Sequence, residues 1–130
     1  MKELLIPVSI GEILDKVTIL EIKSARIKDS GKLANVRQEL ALLNGVLAGS
    51  IPELPAAAKV LMDQLRLVNQ KLWDIEDDIR ELEGQGNFGD RFVGLARSVY
   101  VTNDRRAVLK RELNVLLGSA IIEEKSYSAY

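Results

Sequence analysis

The chain contains no cysteine and no histidine. The first absence removes disulfides, thiolate nucleophiles and thiolate metal sites together. The second removes Ser-His and Cys-His catalysis, imidazole-ligated zinc and every side chain whose ordinary pKa lies near neutrality. Neither sign of charge is in excess. Eighteen Lys and Arg stand against 19 Asp and Glu, a net charge of −1, so no bulk field draws the chain to nucleic acid or to an anionic membrane. No apolar stretch approaches the roughly 20 residues of a membrane helix. Leu4-Leu5-Ile6, ended by Pro7, is too short for the core of a signal peptide. The expectation is a cytoplasmic protein without a membrane partner, a resident metal or a cofactor.

What is present reads as one helical domain, residues 1–130. Its 130 residues are 47% apolar and 28% charged, enough to bury one core and too few for two. Ser9 and Glu12 form an S-x-x-E capping box, flanked by Val8 and Ile13 as a hydrophobic staple, and predict a helix to about Lys28. Ile13, Val17, Leu20 and Ile27 make its main apolar face. Ile19 and Ile22 lie on a second, beside Asp15 and Arg26. Leu33, Val36, Leu40, Leu43 and Leu47 predict a second helix over 32–48. After Pro52 and Pro55, apolar residues alternate by three and four from Leu61 to Leu82, the seam of a helix packed on a partner helix. That partner is expected over 92–117, with Asp90 as its cap and Gly118 as its stop. Its seam carries Thr102, Asn103 and Arg106 where apolar residues belong, and such groups need partners once buried.

The fold class is therefore all-α: an antiparallel four-helix arrangement of two hairpins. At about 1.5 Å per residue the second hairpin extends on the order of 40 Å and the first only 25–30 Å. The second should project, leaving Ile75, Ile79, Leu82, Phe88 and Phe92 uncovered near its tip. An apolar patch of that size predicts a homodimer through these five residues.

Three motifs carry little chemistry. Gly84-Gln85-Gly86-Asn87-Phe88-Gly89 matches G-x-G-x-x-G, but a charged helix precedes it where dinucleotide folds have a strand. Glu76, Asp77 and Asp78 are consecutive on a helix and point about 100° apart, which spreads them over a solvated face. The cluster Arg105, Arg106, Lys110 and Arg111 is interrupted by Asp104 and Glu112 and lacks interleaved aromatics, so nucleic acid is disfavoured.

A fourth constellation carries more. Asn69, Trp73, Glu76 and Arg80 recur at i, i+4, i+7 and i+11, and symmetric pairing of the hairpin sets Asn69 to Trp73 opposite the stretch from Val99 to Asn103. Arg106 can then reach a carboxylate on the first helix, Asp15 or Glu12, with Lys16, Lys23 and Arg26 nearby. Two readings follow: a buried polar network that sets helix register, or a core pocket for an anionic small molecule. The pocket candidates are Asp15, Lys16, Lys23, Glu76, Arg80, Asn103 and Arg106.

The run from Ile6 to Lys23, with the blocks Lys32 to Arg37, Leu72 to Arg80, Thr102 to Arg106 and Glu123 to Tyr127, resembles a small bacterial all-helical family of unknown function. The resemblance spans nearly the whole chain. It implies a complete domain whose relatives occur attached to glycosyltransferase-like or repeat regions, and it assigns no catalytic residue. The functional expectations are a helical interaction or assembly module, homodimeric, and, as the alternative, a binder or enzyme for an anionic small molecule. Ser119 to Tyr130 is expected to pack beside Leu4-Leu5-Ile6 or to dock on a partner.

Overall fold

The computed structural model describes residues 3–130. Four helices fill it: α1 Ile10–Arg26, α2 Ser30–Ser50, α3 Ala56–Gly84 and α4 Asp90–Leu116. The described residues contain no strand, and the class is all-α.

Local chemistry sets most of the boundaries. The Ser9 hydroxyl accepts from the Glu12 amide at 3.2 Å. Only that half of the capping box forms, because the Glu12 carboxylate accepts instead from Lys110 Nζ at 2.6 Å. Asp29 caps α2 by accepting from the Lys32 amide at 2.8 Å, and α2 continues through Asn44-Gly45. Gly86 and Gly118, at φ of 66° and 67°, end α3 and α4 in the left-handed region that favours glycine. Each completes a pair of reverse-turn hydrogen bonds. Asn87 N–H donates to Leu82 C=O at 2.9 Å and Gly86 N–H to Glu83 C=O at 3.0 Å; Ser119 N–H donates to Asn114 C=O and Gly118 N–H to Val115 C=O. The glycine-rich segment is thus a hairpin turn. Asp90 does not cap α4. It is the first helical residue, Gly89 holds the cap position, and the carboxylate sits in the first turn where the helix dipole favours it.

Helices α3 and α4 make the longest contact, and α1 lies across both. Gly11 meets Asn114 and Asp15 meets Arg106, whereas Glu21 meets Arg66 and Arg26 meets Asp74. Helix α1 is therefore antiparallel to α4 and parallel to α3. The core between them is Leu14, Ala58, Leu65, Leu109 and Leu113, all fully buried. Helix α2 packs along α1 and stays clear of the α3 and α4 backbones. Its stripe faces α1 with Val36 buried, and Leu42 and Val46 remain exposed.

The α3–α4 hairpin does project, since the Arg26–Asp74 pair marks the end of α1. Its tip differs from expectation. Ile75 and Leu82 are only 5% and 4% exposed, and Ile79 and Phe92 are half-buried. Phe92 meets Phe88 edge to face at 5.2 Å, and of the five only Phe88 is exposed. The reason is that the two helices close the seam on each other, so a and d positions need no third element. The apolar patch that predicted a dimer is largely internal.

The tail packs along the bundle, but on α4 and not beside Leu4-Leu5-Ile6. It turns back along α4, with Glu123 on Lys110 at 3.3 Å, Glu124 on Arg111, and the Tyr130 hydroxyl donating to Asp104 at 2.5 Å. Leu4, Leu5 and Ile6 stay exposed. No helix among the described residues is long and apolar enough to cross a membrane.

Candidate functional site

Asp15 is the centre of the polar interior. It has no exposed surface, although it carries a charge into a helical core. Three elements supply its partners. Arg106 on α4 donates from Nε at 3.0 Å to one carboxylate oxygen and from Nη2 to the other, a fork-on-fork pair. Asn69 on α3 donates from Nδ2 at 2.9 Å, and the same amide donates to Thr18 Oγ1 at 2.8 Å. Lys110, one turn beyond Arg106, lies 3.9 Å away and bridges Glu12 and Glu123. Thr18 closes the set by donating to the Asp15 carbonyl at 2.8 Å.

The close approach of α1 to α4 depends on Gly11. Its amide donates to Asn114 Oδ1 at 2.5 Å. A Cβ there would fall well inside the carbon–oxygen contact distance of the Lys110 carbonyl and 2.9 Å from Asn114 Oδ1. Asn114 is 1% exposed, and its Nδ2 has no partner among the described residues.

Charge in this network is held rather than exchanged. The hydrogen bond to Asp15 raises the Arg106 guanidinium above its ordinary range, against the opposing effect of burial and with help from the charges of Asp15, Glu12 and Glu123. Burial pulls the Lys110 ammonium down, but its hydrogen bond to Glu12 and the charges of Asp15, Glu12 and Glu123 outweigh burial and leave it raised. Neither group gives up a proton near neutral pH. A raised folded-state pKa stabilises fully below the ordinary lysine value of about 10.5 and is lost as pH rises through the folded value. Stability should therefore fall above about pH 10.5, and the fall should be shallower in Lys110→Arg, which stays charged. Chemical denaturation between pH 8 and 11.5 measures both; equal alkaline slopes would show that Lys110 contributes nothing.

Beside the network opens a cleft of about 440 Å³ where α1, α3 and α4 diverge. Ile19, Ile22 and Leu72 form its apolar wall, and Trp73 stands beside Asn69, Asn103, Arg106, Lys23, Glu76 and Asp77. Ile19 and Ile22, from the second apolar face of α1, thus line the cleft. Asn69 turns its amide hydrogens inward to Asp15 and Thr18, which leaves its side-chain carbonyl oxygen without a partner among the described residues. Arg106 engages Asp15 through Nε and Nη2, and its Nη1 has no partner among the described residues.

Of the residues singled out in the sequence, Lys23, Glu76, Asn103 and Arg106 line this cleft and Asp15 lies behind it. Two do not join them. Lys16 points to α2, 3.8 Å from Glu39, and Arg80 is solvent-exposed and bonds back to Glu76. Thr18, Lys110, Asn114 and Glu123 complete the network without having been expected there. A signal for two of them existed: Asn103, Arg106, Lys110 and Asn114 form one polar stripe at spacings of three, four and four.

The profile of DUF6165, a family of unknown function, matches residues 4–130, and the chain belongs to that family. No curated protein and no solved structure matches it.

Proposed function

We propose that this member of DUF6165 is a binding protein for a small polar ligand with an anionic group, held in the cleft between α1, α3 and α4. One observation carries the reading: polar groups without a partner among the described residues share one cleft with an aromatic ring. Asn69, Arg106, Lys23 and Asn103 line the cleft together with Trp73, without hydrogen bonds to one another among the described residues. The volume is in the range of small-molecule sites, and the mix of apolar wall and few polar groups is their usual lining. Arg106 and Lys23 supply positive charge to an anion, and Asn69 and Asn103 supply oriented amides. Asp15 acts as a positioning residue, since it holds Arg106 and Asn69 in place from behind. The assembly reading has less support, because the seam at Ile75 and Leu82 closes within the hairpin.

Trp73 is the only tryptophan in the chain, so its emission reports on the cleft. Titration with inorganic phosphate, a sugar phosphate and a small dicarboxylate should give a saturable emission change with one of them. Asn103→Leu should abolish it while leaving the far-UV circular dichroism intact. A flat response to all three, together with native mass spectra showing no retained added mass, would overturn the proposal.

A further inference from the structure

We infer that the C-terminal tail and the outer face of α4 enclose a second binding compartment, suited to an aromatic anion. The tail is pinned at two places by polar bonds. At its near end Glu123 and Glu124 pair with Lys110 and Arg111; at its far end the Tyr130 hydroxyl bonds Asp104 and its ring meets Tyr100 edge to face at 5.3 Å. Between these pins the chain stands off the helix. The space beneath measures about 1110 Å³, and Tyr127 remains 78% exposed although Tyr100 and Val108 lie exposed on the facing helix.

Hydrophobic contact alone would lay such a tail flat on α4, because each apolar side chain brought down from water is stabilised by burial. A strap held open over apolar surface is instead the shape of a site that a ligand fills. The lining specifies the ligand. Three tyrosine rings at one end offer edges and faces to a planar aromatic ring. Lys125, which has no ion-pair partner among the described residues, lines the same space with Arg106 and Asn103. The one acidic side chain in the lining, Asp104, accepts from Tyr130 and is outnumbered by the cations Lys125 and Arg106. The lining therefore favours a negative charge on the ligand.

Arg106 and Asn103 border both spaces, but the compartment does not rest on the cleft reading and is tested separately. The full chain is titrated with 8-anilino-1-naphthalenesulfonate, an aromatic anion that fluoresces on transfer from water. One saturable site is expected, displaced by phenyl phosphate and phenylacetate and poorly by octanoate. The stronger of the two aromatic competitors identifies phosphate or carboxylate as the anionic group. Lys125→Glu and Tyr127→Ala should each weaken the probe about tenfold or more, the loss of one charge-assisted or aromatic contact. Both residues are exposed, so the fold is not at stake. Lys23→Glu, in the other cleft, should leave probe binding unchanged, and Trp73 emission should be blind to Lys125→Glu. Absence of a saturable site, wild-type affinity in both tail variants, or displacement by octanoate as effective as by the aromatic anions would overturn the inference.

Discussion

Arg106→Leu should destabilise the fold by about 3–5 kcal/mol, the cost of leaving a buried charge without its partner. Asp15 has no exposed surface, so the orphaned carboxylate cannot turn to water. The Asn69 amide and Lys110 at 3.9 Å are what remain to it. The reverse deletion is expected to be milder. In Asp15→Leu the guanidinium of Arg106, whose side chain is 27% exposed, can swing outward and be hydrated. The double variant Asp15→Leu with Arg106→Leu should recover most of the loss, because a well-packed apolar pair avoids desolvating two charges. Urea midpoints for the four proteins of the cycle measure the coupling. If Arg106→Leu costs under about 1 kcal/mol, or the double variant is as unstable as the single, the pair does not organise this core. The double variant also separates stability from binding: it should fold and lose the Trp73 response, since the cleft loses its fixed cation.

Gly11→Ala carries the second large effect. Alanine is worth about 1 kcal/mol over glycine inside a helix, and at an open site that gain is realised. At Gly45, where an added Cβ meets nothing within 4 Å, Gly45→Ala should stabilise α2 by up to about that amount. At Gly11 the new methyl meets the Lys110 carbonyl, part of the α4 backbone, and the Asn114 oxygen to which the Gly11 amide donates. Backbone in mid-helix does not yield, so α1 must shift off α4. Overpacking of this kind costs about 1–3 kcal/mol, and the bond to an otherwise unpaired buried asparagine is weakened as well. The expected net loss is about 2 kcal/mol or more. Thermal unfolding of both alanine variants tests the pair. A Gly11→Ala protein at least as stable as the wild type would mean that α1 and α4 are not in close contact.

The sequence was legible wherever the physics is local. Ser9, Pro55 and Gly118 mark helix ends because a cap or a positive φ concerns only a few consecutive residues. One cap departed from its local pattern for a tertiary reason. Glu12 left the capping box because Lys110, distant in sequence, offers its carboxylate a buried ion pair. The stripe of Asn69, Trp73, Glu76, Asn103 and Arg106 was readable because helical periodicity places those residues on facing sides of one hairpin. Arg80 shared the spacing but lies beyond the cleft, and Lys16, next to Asp15 in sequence, points to α2 instead; periodicity does not measure depth.

By itself, then, the sequence determined four helices, their order, the projecting hairpin and the chemistry that absent histidine and cysteine exclude. Each follows from composition or from spacing within a single element. Only the tertiary structure decided that Arg106 chooses Asp15 over Glu12, that the tip closes on itself, and that the tail returns along α4. Those outcomes join residues up to 91 positions apart. They depend on which helix faces converge and how closely, and a glycine at position 11 sets that distance as much as any charge does.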